Sequence, residues 1–221
     1  MCKIHLTYIK MHVNIIQLKQ KGNSMNYKNM TISKLSEELL KACFMTRLNL
    51  AMNLVKNGAD VNKKSFSDHT SLFCACLSNH AKLIYFLIKK GARVDEINQG
   101  GQTALWFSCA RGNSDSVRIL LRSGADFRLT DDKGLLPLHI ASAYGYVSII
   151  MNLLRYGADV NCVSPKGRTP LHFASRGGHV LVVKELLARG ANTNITSSNG
   201  ETPLDAARKN RHADIVELLR R

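Results

Sequence analysis

A glycine–alanine pair recurs along this chain with a fixed step of 33 residues, beginning at Gly58, Gly91, Gly124, Gly157 and Gly190. A second series lies twelve residues after each glycine and reads Thr-x-Leu in four of five places, with Leu136 replacing threonine in the other. Two interlocked series that share one period predict a linear array of one small supersecondary unit. Such a unit cannot bury its own apolar face and stacks on its neighbours. The expected functional element is therefore an extended surface rather than an enclosed pocket.

The unit is clearest at residues 164–196. Gly167 suits a turn that needs a positive φ, and Thr169 followed by Pro170 is typical of the first turn of a helix. A second helix is predicted from valines and leucines at a spacing close to 3.6 residues, ending at Gly190, where a left-handed residue stops a helix. Each unit is thus expected to contain two helices and a turn.

Residues 169–174 read TPLHFA, and residues 136–141 differ from that pattern only at the first position. With the Gly-Ala-Asp or Gly-Ala-Asn that follows, this pattern resembles the ankyrin repeat. The resemblance covers about residues 32–221 and divides them into six units: 32–64, 65–97, 98–130, 131–163, 164–196 and 197–221. It implies an all-α repeat solenoid of stacked helix-turn-helix units, with β-hairpin fingers projecting between units and first helices lining a concave groove.

The two end units depart from the pattern, as capping units do. The first has Glu37 and Glu38 near the start of its helix in place of the repeat motif, and the last is charged on its outer face. Residues 1–31 do not match the repeat and carry five lysines and no acid. We expect them to be a flexible basic N-terminal arm or an extension upstream of a true start at Met25. A mitochondrial presequence is a weaker alternative because the segment contains no arginine.

Three of the six cysteines, Cys43, Cys76 and Cys109, occupy one position of successive units. Units about 10 Å apart place them too far from one another for a disulfide, so we expect buried, reduced thiols. Cys74 and Cys76 have no matching second pair for zinc, and no metal or cofactor is predicted. No apolar run is long enough to span a bilayer. Reduced thiols favour the cytoplasm, with the nucleus as the alternative compartment.

The formal net charge of +15 is concentrated towards the ends of the chain, in residues 1–66 and 166–198. One interpretation is a lysine-rich composition with solvated side chains. The other is a pair of basic regions that contact an acidic protein, nucleic acid or an anionic membrane.

Catalytic and phosphate-binding motifs are absent from the sequence, which argues against an enzyme. His139 and His172 are the motif histidines, which the resemblance assigns to hydrogen bonds within and between units. His80 and His179 recur at the start of second helices. Trp106 replaces the motif histidine in its unit, and we expect it to pack between first helices, although an exposed platform for a nucleic-acid base is an alternative.

The resemblance assigns partner contacts to positions two, three, five, thirteen and fourteen of each unit. The resulting candidates are Phe66, His69, Leu77, Gln102, Arg111, Leu135, Tyr144, Lys166, Arg168 and Arg176. Tyrosine and arginine are frequent binding hot spots, whereas isolated exposed apolar residues are also ordinary on a protein surface. We predict a monomeric, non-enzymatic interaction module, or adaptor, with a protein partner that is acidic where it meets Lys166, Arg168 and Arg176. The alternative is a nucleic-acid- or nucleotide-binding repeat protein that uses the basic ends.

Asn62 and Asn161 each follow Asp-Val, with Leu54 or Leu153 eight residues earlier. This arrangement is similar to the substrate pattern of the asparaginyl hydroxylase that acts on ankyrin repeats. The structural alternative is that the asparagine side chain tightens the turn between units. Hydroxylation requires that turn to open, which favours Asn62 in the end unit over Asn161.

Overall fold

The computed structural model describes residues 27–220, and their contacts separate residues 1–31 from residues 32–221. A 3-10 turn, Tyr27–Asn29, precedes the boundary. The helices that follow are α1 Ile32–Phe44, α2 Leu48–Lys56, α3 Ser71–Leu77, α4 Ala81–Lys89, α5 Ala104–Arg111, α6 Ser114–Arg122, α7 Pro137–Tyr144, α8 Val147–Arg155, α9 Pro170–Gly177, α10 Val180–Ala188, α11 Pro203–Lys209 and α12 Ala213–Leu219. They form consecutive pairs, which confirms the stacked repeat fold. The start at Met25 and residues 1–26 of the arm predicted for residues 1–31 lie outside the described residues.

Threonine begins the first helix in four of the units. The Oγ1 atoms of Thr70, Thr103, Thr169 and Thr202 each accept the backbone N–H three residues later. Leu136 has no hydroxyl group, so its unit keeps only the second bond of this turn, from the backbone N–H of Leu136 to Nδ1 of His139 at 3.1 Å, which Thr169 also makes to His172. These bonds satisfy N–H groups that the first turn of a helix leaves without a partner.

Each second helix buries one apolar stripe against the first helices. In α4 the buried side chains are Leu83, Ile84 and Leu87, and in α8 they are Ile149, Ile150 and Leu153. The spacing of three and four residues places each set on one face of its helix. The stripes join into one core that runs along the stack.

The turns between units are closed by the same backbone bond at each 33-residue step. The first residue of the unit donates its N–H to the carbonyl of the fifth, as Ser164 does to Arg168 at 3.0 Å. The fourth residue returns a bond to the first, and Gly167 holds this place with φ +67°. Within residues 27–220 these segments contain no β-strand, so the expected β-hairpin fingers are tight turns. Neighbouring turns share isolated backbone bonds, such as the one from the N–H of Ser198 to the carbonyl of Lys166 at 2.9 Å, rather than a strand ladder.

The cysteines of the repeat series lie in the core. Cys43, Cys76 and Cys109 are buried and unpaired, as is Cys74 beside Cys76 in α3. Burial raises the pKa of each of the three thiols, which keeps them protonated. They act as small apolar side chains in the stack.

No helix among residues 27–220 combines the length and apolarity needed to cross a membrane.

Gly124 follows α6 with a φ of +85°, as the sequence predicts for the residue that ends a second helix. A Cβ added there meets no atom within 4 Å, so a substitution acts only through the backbone conformation. We expect Gly124→Val to lower the free energy of unfolding by more than about 1–2 kcal/mol, because a β-branched residue is disfavoured in the left-handed region.

Urea unfolding followed by circular dichroism measures this change. Gly100→Ala is the control, because Gly100 does not have a positive φ and its added Cβ makes ordinary contacts. Unchanged stability in Gly124→Val would contradict the strain assigned to this turn.

Candidate interaction surface

The two sides of the stack differ in how closely neighbouring units approach. First helices of adjacent units contact each other more extensively than second helices do. The first helices therefore lie on the inner side of the curve, and the second helices lie on the outer side. The turns between units lie beside the first helices.

A side chain at position nine of the unit links one unit to the next. The indole Nε1–H of Trp106 donates to the carbonyl of Leu135 at 2.8 Å. Two units later, Nε2 of His172 donates to the carbonyl of Glu201 at 2.9 Å. Both acceptors are position five of the following unit. Trp106 is 7% exposed, so it replaces the motif histidine in packing and bonding, and the alternative of an exposed base-stacking platform is wrong.

The motif histidines are held as neutral donors. Nδ1 of His172 accepts the N–H of Thr169 at 3.1 Å, which leaves Nε2 to carry the proton that reaches Glu201. His139 makes its two bonds within its own unit: Nδ1 accepts the N–H of Leu136, and Nε2 donates to the carbonyl of Cys162 at 3.1 Å. Burial lowers the pKa of both histidines, because the charged ring would lose water. These rings therefore serve the fold.

The histidines that precede second helices also join neighbouring units. Nε2 of His179 donates to the carbonyl of Ala143 at 2.9 Å, and Nε2 of His212 donates to the carbonyl of Arg176 at 3.1 Å. His80 instead accepts the N–H of Leu83 on its Nδ1 and caps α4. Among residues 27–220 no group of three or more histidine, cysteine or carboxylate side chains is arranged to hold a metal.

The sequence-predicted contact residues all fall on first helices or on the turns beside them, at different degrees of exposure. Phe66 is fully exposed and Tyr144 is 58% exposed. Arg111, Lys166 and Arg176 are also exposed. The remaining candidates are half-buried: His69, Leu77, Gln102, Leu135 and Arg168.

Two of the half-buried candidates are connected through a residue of the intervening turn. The amide nitrogen of Asn98 lies 3.4 Å from Nε2 of His69 and donates to Oε1 of Gln102 at 3.2 Å. The ring of His69 also stacks on Phe73 with 4.3 Å between centroids. His69 and Gln102 are therefore partly committed to bonds within the protein.

The basic surface predicted for the fifth unit is partly neutralised. Nη2 of Arg168 lies 3.7 Å from Oε2 of Glu201 in the next unit. Lys166 and Arg176 form no ion pair within the described part of the chain. The positive charge available to a partner here comes from these two side chains.

Sequence reasoning missed a contact between aromatic rings of the second and third units. The rings of Phe73 and Phe107 lie 5.0 Å apart, and the guanidinium of Arg111 lies over Phe107 at 5.9 Å. Tyr144 similarly lies beside Tyr146, with 6.2 Å between centroids. The signal for the first contact was present in the sequence, because Phe107 occupies the variable place in its TPLHxA-like motif.

Asn62 and Asn161 hold the backbone of the following unit through matching bonds. Nδ2 of Asn62 donates to the carbonyl of Gly91 at 3.0 Å, and its Oδ1 accepts the N–H of Arg93 at 2.8 Å. Asn161 binds Gly190 and Asn192 in the same way. These contacts give the asparagines a structural role between units, and hydroxylation stays a prediction.

The family model of ankyrin repeats in three copies matches residues 39–131 and 138–221. These ranges cover well over half of the sequence, so the chain belongs to the ankyrin repeat family. The fold is similar to the crystal structure of the ankyrin repeat domain of Bcl-3, described as a unique member of the IkappaB protein family. The TM-score is 0.75 at 27% sequence identity, over 82% of this chain and 83% of that chain. No curated protein matches the sequence significantly. The class is thus a protein–protein interaction module of a fold that is typically non-enzymatic.

We expect the asparaginyl hydroxylase of ankyrin repeats to modify Asn62 in preference to Asn161. Before modification, either side chain must break its two hydrogen bonds to the next unit. An end unit opens more easily than a central one. Peptide mass spectrometry after incubation with the enzyme measures the added oxygen. An ankyrin substrate modified in parallel is the control, and modification of neither asparagine, or of Asn161 first, would contradict the prediction.

Proposed function

We propose that this chain is an adaptor that binds a protein partner along the inner side of the stack, through first helices and the adjoining turns. The proposal rests on one observation: within a single first helix, some side chains are buried and hydrogen-bonded, and others are exposed. In α9, His172 is buried and bonded to its neighbours, whereas Arg176 is exposed. In α7, His139 is likewise buried and hydrogen-bonded, whereas Tyr144 is exposed. The side chains that hold the stack are thus separate from those available to a partner.

Arg111 and Tyr144 are the proposed anchors of the contact. Tyr144 offers a large amphipathic ring that is 58% exposed, beside the ring of Tyr146. Arg111 is exposed and packs its guanidinium over Phe107, which limits its freedom before binding. Pre-ordered tyrosine and arginine side chains lose little entropy on binding and often dominate an interface.

The proposed partner segment is acidic where it passes the third to fifth units. Arg111, Lys133, Lys166 and Arg176 form no ion pair within residues 27–220, and all four are exposed. Complementary charge would speed encounter and set orientation more than it raises affinity. Phe66, which is fully exposed, and the half-buried Leu77 and Leu135 supply apolar surface on the same side.

The six units of residues 32–221 are proposed to act as one monomeric domain in the cytoplasm, with the nucleus as the alternative. Unpaired thiols at Cys43, Cys74, Cys76 and Cys109 support a reducing compartment.

We expect Arg111→Ala and Tyr144→Ala each to weaken partner binding by more than about 1 kcal/mol, with folding nearly unchanged. The partner is first captured with the intact chain, and its affinity for each purified variant is then measured by isothermal titration calorimetry. Thermal unfolding of each variant confirms that the fold is intact.

Matched controls lie on the outer side of the stack. Tyr85 on α4 is 57% exposed, nearly the same as Tyr144, and Arg122 on α6 is exposed like Arg111. Tyr85→Ala and Arg122→Ala should leave affinity for the partner unchanged. Equal losses in the control variants, or none in either set, would overturn the proposed binding side.

A further inference from the structure

The charges of this chain segregate between the two sides of the stack. The five second-helix segments, residues 47–57, 80–90, 113–123, 146–156 and 179–189, carry ten lysines and arginines and two acids. The remaining residues between 32 and 210 carry thirteen basic residues and twelve acids. The inner side and the turns are therefore close to neutral in total, whereas the outer side of five units is strongly basic.

The few acids on the outer side are already engaged. Asp115 accepts from Arg118 at 2.7 Å, and Glu185 pairs with Arg189 at 3.0 Å. The other eight basic side chains form no ion pair within residues 27–220: Arg47, Lys56, Lys82, Lys89, Lys90, Arg122, Arg155 and Lys184. Each of these eight is exposed. Their charge is available to an anion.

Four of these cations form a row with the period of the repeat. Lys56, Lys89, Arg122 and Arg155 each end the second helix of successive units, 33 residues apart. A cation at the carboxyl end of a helix is favourable for the helix itself. That benefit accounts for the position of each cation, but it does not account for the near absence of acids elsewhere on the same helices.

Polar and aromatic groups accompany the cations. Arg118, Arg122, Asn152, Arg155 and Tyr156 line one open cleft of about 330 Å³ between α6 and α8. Tyr156 is 40% exposed there. Guanidinium groups match phosphate oxygens in a bidentate manner, and an exposed aromatic ring offers a face for a base.

We propose that the outer side of the stack, from α2 to α10, binds single-stranded nucleic acid. The row has one cation per unit at regular spacing. A polyanion with evenly spaced charges fits this row better than an acidic protein segment, whose charges are irregularly spaced. The outer side is convex, so a flat bilayer would reach only a few units, whereas a flexible strand can follow all five. The exposed ring of Tyr156 can stack only on a base that is not paired, which favours a single strand over a duplex.

The test is fluorescence anisotropy of the full chain with a labelled oligouridine of about 20 nucleotides, titrated across a range of salt concentrations. The intact chain should bind with an affinity that falls steeply with salt, because phosphate contacts release counterions. Replacing Lys56, Lys89, Arg122 and Arg155 with glutamine should reduce affinity at low salt more than tenfold. The slope of log affinity against log salt concentration should also become shallower by about 3, because each of the four lost phosphate contacts accounts for about 0.7.

A smaller variant keeps the test decisive if the fourfold change destabilises the helices. Arg122→Gln with Arg155→Gln removes only the two row arginines that line the cleft and should flatten the slope by about 1.4. Circular dichroism establishes that each variant is folded.

The matched control removes four exposed cations from the inner side, in the combined variant Arg111→Gln, Lys133→Gln, Lys166→Gln and Arg176→Gln. At about 0.15 M salt its affinity for oligouridine should stay within about twofold of the intact chain, since charges further from the strand than the Debye length of about 8 Å are screened. An equal loss in the control would overturn the proposal, as would no binding by the intact chain. Tighter binding to phosphatidylserine vesicles or to polyglutamate than to oligouridine would also overturn it. The protein partner is tested separately, by Arg111→Ala and Tyr144→Ala.

Discussion

Contact between neighbouring units is the interaction on which this structure depends. A pair of helices shorter than ten residues each, such as α5 and α6, cannot cover its own apolar stripe, and helices of that length are marginal in water. Adjacent units supply the missing surface, so that Leu105 and Leu120 are fully buried. Directed bonds then fix the register between units: Trp106 or His172 bonds to the turn that precedes the next first helix, and Asn62 or Asn161 bonds to the backbone that follows the next second helix. Together these contacts turn a periodic sequence into one continuous framework.

Much of this framework could be predicted from the sequence because each repeated residue has a local reason for its place. Threonine begins the first helices, Gly124 ends a second helix at a positive φ, and the cysteines fill a small buried position. Those are properties of a residue and its immediate backbone. The tight turns that replace β-hairpin fingers were not predicted, because a strand depends on partners that a single sequence does not reveal.

The long-range contacts of the candidate surface were less accessible to prediction. The bond from Trp106 to Leu135 spans two units, and the pairing of Arg168 with Glu201 depends on how closely two turns approach. The basic outer side was difficult to predict for a different reason. Counting charge in blocks along the chain mixes both helices of every unit and indicates basic ends, whereas counting by position in the unit separates a neutral inner side from a basic outer side.

The central claim of this account is that framework and contact surface are carried by different side chains of the same helices. Urea unfolding of two single variants in α9 tests it most directly. His172→Ala should lower the free energy of unfolding by at least about 2 kcal/mol, because it opens a cavity and leaves the N–H of Thr169 and the carbonyl of Glu201 without their partner. Arg176→Ala, one turn further along, should change it by no more than about 0.5 kcal/mol. Equal losses in the two variants, or a larger loss in Arg176→Ala, would contradict the claim.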